Sequence, residues 1–270
     1  MQEWQRDFPF QGIYLVEGGD EITLSAKSLG GLKIRKLDEQ QAFFDIFIYG
    51  DAGVGKTVLS GSADAVPQMR PVLFVDIEFG TNSLRKTYPK VDVVQVRTME
   101  DVNSIKDALS DTDHGYQTVV FDSLTELQKL NMYHIMKKNG LNPLSDKPTW
   151  DEWALSLENM RKFVRDIKRL PINSIFTALL DTEKDKRGNI LMKPLFTGKF
   201  QKEAAALFDE VFFYYMREID DPETGESRNA RILLTEATET ATAKDRSGNL
   251  GQYLIDPNMT VIYNKMIGTE

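Results

Sequence analysis

Lys56 and Thr57 close the stretch GDAGVGKT, residues 50–57, and their types pose the first chemical question. Glycines at 50 and 55 followed by Lys and Thr fit G-x-x-x-x-G-K-[ST], a loop whose backbone N–H groups wrap a polyphosphate. The cradle runs through Gly50, Asp51, Ala52, Gly53, Val54, Gly55, Lys56, Thr57 and Val58. In ATP bound there, the Lys56 ammonium would neutralise β/γ oxygens and the Thr57 hydroxyl would ligate Mg²⁺. The cation also needs a carboxylate, and TVVFDS brings Asp122 to the end of an apolar, β-branched run about 65 residues after the loop. Hydrolysis further needs a group that orients or deprotonates water. The position after Asp122 is Ser123, so the base must come from elsewhere. Glu78, two residues beyond Asp76 in LFVDIEFG, supplies it.

These side chains meet only if the chain delivers them to one sheet edge. From Phe43, short apolar runs alternate with helical patterns, which predicts a mostly parallel sheet flanked by crossover helices. FFDIFIYG reads as a strand entering the loop and KTVLSGSADA as the helix leaving it; further strands are expected at 71–78, 91–97, 117–123 and 172–180. Thr98 with Asp101 opens a helix over 99–110, a second covers 124–138 and stops at Gly140, and Thr149 with Glu152 caps a third that ends before Pro171. That third helix carries Trp153, Leu157, Met160, Phe163, Val164 and Ile167 as a core-facing stripe. EVFFYYMREI and ARILLTEA flank the turn-rich DDPETGES, a β-hairpin extension near the C-terminus. Residues 1–40, with strand-like GIYLVE and LKIRKL, read as a separate segment with an oligomerisation role, and 41–270 as the nucleotide-binding domain.

Bulk properties exclude several alternatives. The chain of 270 residues has no cysteine and only two histidines, His114 and His134, which argues against disulfides, cysteine-ligated zinc and a histidine-based triad. No run of 18 apolar residues exists, and MQEWQRDFPF lacks a signal-peptide layout, so a cytoplasmic setting is expected. A net charge of −8 argues against a generally basic nucleic-acid binder. Yet Asp181 to Lys202 carries six Lys/Arg against three acids, a local excess of +3. On charge alone, a solvated basic loop is the simpler reading of that segment.

The P-loop, VDIEFG and VVFDSLTEL, in that order, resemble the RecA-like ATPases, which place a catalytic glutamate after one strand and an Asp-Ser metal motif after a later one. With TGKFQKE and AKDRSGNL added, the run over about residues 43–255 is similar to RecA-like phage nucleotide-binding proteins of single-strand annealing and recombination. The resemblance implies an ATPase acting on single-stranded DNA, self-assembled as a ring or filament with ATP between protomers, alongside a single-stranded DNA-binding protein. It implies DNA contact at 137–150 and at the basic segment 181–201, through Lys184, Lys186 and Arg187, then Lys137, Lys138 and Lys147. It also implies that Lys244 and Arg246 in TAKDRSG reach a neighbour's γ-phosphate; a charged hairpin turn is the plainer reading. Where RecA has a polar γ-phosphate sensor, FTALLDT offers Thr177, Asp181 or Thr182. Arg85 and Tyr88 lie in a region suited to adenine. Two other readings stay open: an ATP-gated DNA-binding or assembly module with little turnover, and another P-loop motor such as a helicase-loading or packaging ATPase.

Overall fold

The computed structural model describes residues 28–29, 32–33, 43–220 and 225–269. It divides at residues 42/43 into two units. In the first, β1 (Ser28–Leu29) and β2 (Leu32–Lys33) form a short antiparallel pair. GIYLVE, most of LKIRKL and residues 221–224 of the hairpin turn lie outside the described residues.

The second unit is built on one nine-stranded sheet. Its parallel strands are β3 (Asp45–Gly50), β4 (Val72–Asp76), β5 (Asp92–Gln95), β6 (Thr118–Asp122), β7 (Asn173–Lys184) and β9 (Glu210–Asp220). They lie in the order β9-β3-β7-β6-β4-β5. The central four, β3, β4, β6 and the first half of β7, are buried on both faces. Their near-continuous Val, Ile and Phe content reflects helices covering both sides. β8 (Ile190–Pro194) folds back antiparallel on the outer half of β7, while β10 (Ser227–Leu234) and β11 (Tyr253–Ile255) extend the sheet beyond β9. The expected hairpin at DDPETGES is therefore present, but its first strand also joins the parallel core through β3.

Helices fill the crossovers. α1 (Lys56–Gly61) is shorter than the sequence suggests, because residues 62–65 tighten into a 3₁₀ turn. α2 (Met99–Leu109) starts at the expected capping box of Thr98 and Asp101. α3 (Leu124–Lys138) and α4 (Trp150–Lys168) run antiparallel, tied by Asn131 to Ser156 and Asn139 to Glu152. The lower part of the α4 stripe (Met160, Phe163, Val164, Ile167) is buried in the core as expected; Trp153 and Leu157 are half-buried beside a surface cavity. α5 (Phe200–Glu203) and α6 (Met259–Met266) complete the unit. Among the described residues no helix is long and apolar enough to cross a membrane.

Register explains how the site assembles. Gly50 pairs with Leu179, and Asp76 with Asp122, so the ends of β3, β4 and β6 share the C-terminal sheet edge, where parallel sheets bind ligands. At the opposite edge, Glu210 is 1% exposed beside Asp245, and burial first, then the Asp245 charge, push its carboxyl up to about 7. Asp45 is pushed up to about 6, chiefly by burial. A folded state that holds a proton more tightly than the unfolded chain loses stability as pH rises, here between about 4.5 and 7. At ~1.4 kcal/mol per unit, Glu210 alone contributes roughly 3 kcal/mol of this decline. Glu210→Gln is therefore expected to flatten the fall in melting temperature between pH 5 and pH 7.5 by roughly 5–10 °C. Unchanged pH dependence in the variant would refute the assignment.

Candidate active site

The loop after β3 owes its shape to two glycines. A Cβ on Gly50 would lie 2.0 Å from the backbone oxygen of Tyr214, so no other residue fits there without moving β9. Gly55 has φ 106 and sits at the N-cap of α1, a conformation that excludes ordinary side chains. Lys56 is buried, and its ammonium donates to the carbonyls of Gly50 and Asp51, both at 2.8 Å. Burial lowers its pKa, while Asp122, Glu78 and Asp51 act the other way.

Asp122 is 2% exposed at the end of β6. The Thr57 hydroxyl donates to its Oδ2 at 2.6 Å, and the Thr177 hydroxyl on β7 donates to its Oδ1. Burial raises its pKa; those two hydroxyls and then Lys56 oppose the rise. A hydroxyl and a carboxylate in contact beside a phosphate cradle are oxygen donors suited to Mg²⁺, which is held by few protein ligands plus phosphates and water.

Glu78 follows β4 on the same edge. Its N–H and that of Ile77 donate to the Asp122 carbonyl at 3.3 and 2.8 Å, tying this turn to β6. The Asp122–Ser123 peptide is cis, and the Ser123 hydroxyl donates to Glu78 Oε1 while also capping α3. The residue is exposed, yet its carboxylate is partly desolvated by its neighbours. That desolvation raises its pKa, Ser123 lowers it, and Asp122 raises it further. Asp76 is fully buried and anchors the following turn, accepting from Gly80 N–H at 3.0 Å and the Thr81 hydroxyl at 2.7 Å.

The remaining sequence candidates separate. Residues 181–201, expected as a loop, begin as a β-hairpin: β7 runs on past the edge and pairs with β8, leaving Lys184, Lys186 and Arg187 exposed around its tip. Lys137 and Lys138 are exposed at the end of α3, and Lys147 in the α3–α4 connection. Lys244 lies towards the opposite sheet end, paired with Val211, and its ammonium donates to its own chain's carbonyls of Phe208 and Ala205. That commitment withdraws Lys244 from a neighbour's nucleotide. Arg246 is on the surface and paired with Asp209. Asp181 accepts from Gln201, and Thr182 pairs with Met192 in the hairpin, so of the three sensor candidates only Thr177 touches the site. Tyr88 lines a cavity behind the loop, whereas Arg85 lines an adjacent surface groove.

The fold and this edge define a P-loop nucleotide-binding domain. The sequence profile of the AAA domain family matches residues 42–247, and the chain belongs to that family of P-loop ATPase domains. A comparison with curated proteins returns no match. Among solved structures, the assembled ATPase EscN of the enteropathogenic E. coli type III secretion system is similar with a TM-score of 0.42 and 17% identity, over 64% of this chain and 43% of that one. A prototypical ATPase from the type III secretion system of pathogenic bacteria gives 0.42 and 16%, over 64% and 51%. The chain thus spans about half the length, or less, of these two structures.

Proposed function

We propose that this ATPase acts on single-stranded DNA, in phage-type recombination or annealing, as a self-assembled oligomer. Lys56 binds the β/γ-phosphates, Thr57 and Asp122 hold the metal, and Glu78 takes the proton of the attacking water. Mg²⁺, bound with ATP, neutralises charge developing on the phosphate oxygens. The phage context and the single-stranded DNA-binding protein as partner follow from the motif resemblance, and the cytoplasmic setting from the composition of the sequence.

The observation that supports DNA coupling is the path of β7. Near its middle, Thr177 bonds to the metal carboxylate Asp122; at its outer end it carries Lys184 into the hairpin that holds Lys186 and Arg187. One continuous strand therefore links the nucleotide edge to an exposed basic tip. Three cations there can track a phosphate backbone. Arg246, on the surface although paired with Asp209, is the remaining candidate to reach a neighbouring protomer.

The test compares ATP turnover without DNA, with single strands and with duplex. Single strands are expected to stimulate turnover most. Replacing Lys184, Lys186 and Arg187 by Ala should remove the stimulation and reduce the salt slope of single-strand binding by about 2, three contacts at about 0.7 each. Turnover indifferent to DNA, or stimulation that survives the triple variant, would overturn the reading.

A further inference from the structure

Behind the phosphate loop lies a cavity of about 230 Å³ lined by Gly55, Val58, Tyr88, Tyr214, Arg231 and Asn258. Three of these residues come from the C-terminal extension strands and the turn after them, far in sequence from the loop they touch. Arg231 on β10 is the link: its Nε donates to the Val54 carbonyl at 2.9 Å, inside the loop itself. A Cβ on Gly55 would meet that Nε at 3.3 Å, so loop and guanidinium are already in close contact. The backbone of Arg231 is fixed in turn by Asp256. Its N–H donates to Asp256 Oδ1 at 2.8 Å, and its carbonyl accepts from Asp256 N–H at 2.7 Å. Asp256 holds this place with φ 47, and its Oδ2 accepts from Arg228 at 2.6 Å.

Tyr214 on β9 gives the second observation. It is 3% exposed, lines the cavity, and its hydroxyl has no hydrogen-bond partner among the described residues. Burial pushes that hydroxyl up to about 12, so it remains a donor at working pH. Lining the cavity without a protein partner, that hydroxyl is free to donate to a ligand seated there. The Asn258 carbonyl oxygen caps α6 through Val261 N–H at 3.0 Å, so its amide nitrogen is the part left to serve the cavity. The wall thus offers donors from Tyr214, Arg231 and Asn258, the Asp256 carboxylate as an acceptor, and an aromatic ring at Tyr88. A purine base, which carries ring-nitrogen acceptors on both of its rings and a face that stacks on aromatics, matches this wall better than a pyrimidine.

We propose that Arg231 and Tyr214 make the C-terminal extension the base-reading half of the nucleotide site: Arg231 positions the phosphate loop through Val54, and Tyr214 donates to a purine base. This rests on the ATP-binding reading given above.

Equilibrium binding of ATP, CTP and inorganic tripolyphosphate, with Mg²⁺, separates the two. Wild type is expected to prefer ATP to CTP. Tyr214→Phe keeps the ring and should weaken ATP by about fivefold or more while leaving tripolyphosphate unchanged. Arg231→Gln should weaken all three, because the loop loses its anchor, and Arg231→Lys should recover part of the tripolyphosphate binding. Thermal melts identify any variant that has not folded; Arg231→Lys then carries the test for Arg231. Tyr214→Phe binding ATP as wild type does, or losing tripolyphosphate and ATP equally, would overturn the inference. A wild type that binds neither ATP nor tripolyphosphate would instead overturn the reading beneath it.

Discussion

Glu78→Gln is expected to lower ATP turnover by about two to four orders of magnitude while ATP binding remains. The substitution keeps size and hydrogen-bonding capacity at the end of β4 but removes the proton acceptor. Binding depends on the loop and on Lys56; Glu78 is hydrogen-bonded to Ser123 rather than to either, and its charge is only one of three that help keep Lys56 protonated. The geometry adds a pH signature. Crowding raises the Glu78 carboxyl above the ordinary glutamate value, and the Ser123 hydroxyl holds it back. A base must be ionised, so turnover rises with pH through that elevated pKa. Ser123→Ala removes the lowering contact and should move the acid limb of the rate profile to higher pH. Its lost cap on α3 costs about 1 kcal/mol, which a melt reads separately. Turnover surviving in Glu78→Gln, or an acid limb that stays put in Ser123→Ala, would assign the base elsewhere.

Parts of this edge can be read in the sequence because each is a local event. The loop is a contiguous motif, and Asp122 and Glu78 each end an apolar run that could only be a buried strand. The mostly parallel, helix-covered character of the sheet follows from the alternating pattern; the strand order does not. What could not be read is whatever register alone brings together. Thr177, 55 positions from Asp122 and 120 from Thr57, is one of the three sensor candidates that the resemblance implies, and nothing in its own run separates it from Asp181 and Thr182; register does. Arg231 and Tyr214 reach the loop because β9 pairs with β3 and β10 with β9, a placement that no short motif encodes. The outer half of β7 misled for a different reason. Asp181, Thr182, Glu183 and Lys184 stand past the sheet edge with no apolar alternation, so charge suggested a loop where backbone pairing with β8 continues the strand. Lys244 shows the converse: a cation in a charged turn looks available, yet the fold closes backbone carbonyls around it.

Asp122→Asn should separate stability from function in the opposite direction to most core substitutions. Turnover is expected to fall by at least about 100-fold, since the neutral amide is a poor ligand for a hard cation. The nucleotide-free protein should nevertheless melt higher. Asp122 is buried and its pKa is raised, so above the unfolded value its ionised form opposes folding, and that penalty grows as pH rises towards the folded pKa. An amide carries no charge to desolvate, and its oxygen and NH₂ can both engage the Thr57 and Thr177 hydroxyls, which rotate to suit. The gain should shrink as pH falls from 8 towards the unfolded value of 3.8, because the cost of protonating Asp122 on folding falls with it. Adding ATP and Mg²⁺ should reverse the order, because ligand binding stabilises only the protein that can complete the site. Melts of wild type and variant with and without Mg-ATP, at pH 5 and pH 8, decide it. A variant less stable than wild type in the absence of nucleotide would mean that the two hydroxyls and Lys56 already compensate the buried charge, and that Asp122 is held for the fold as much as for the metal.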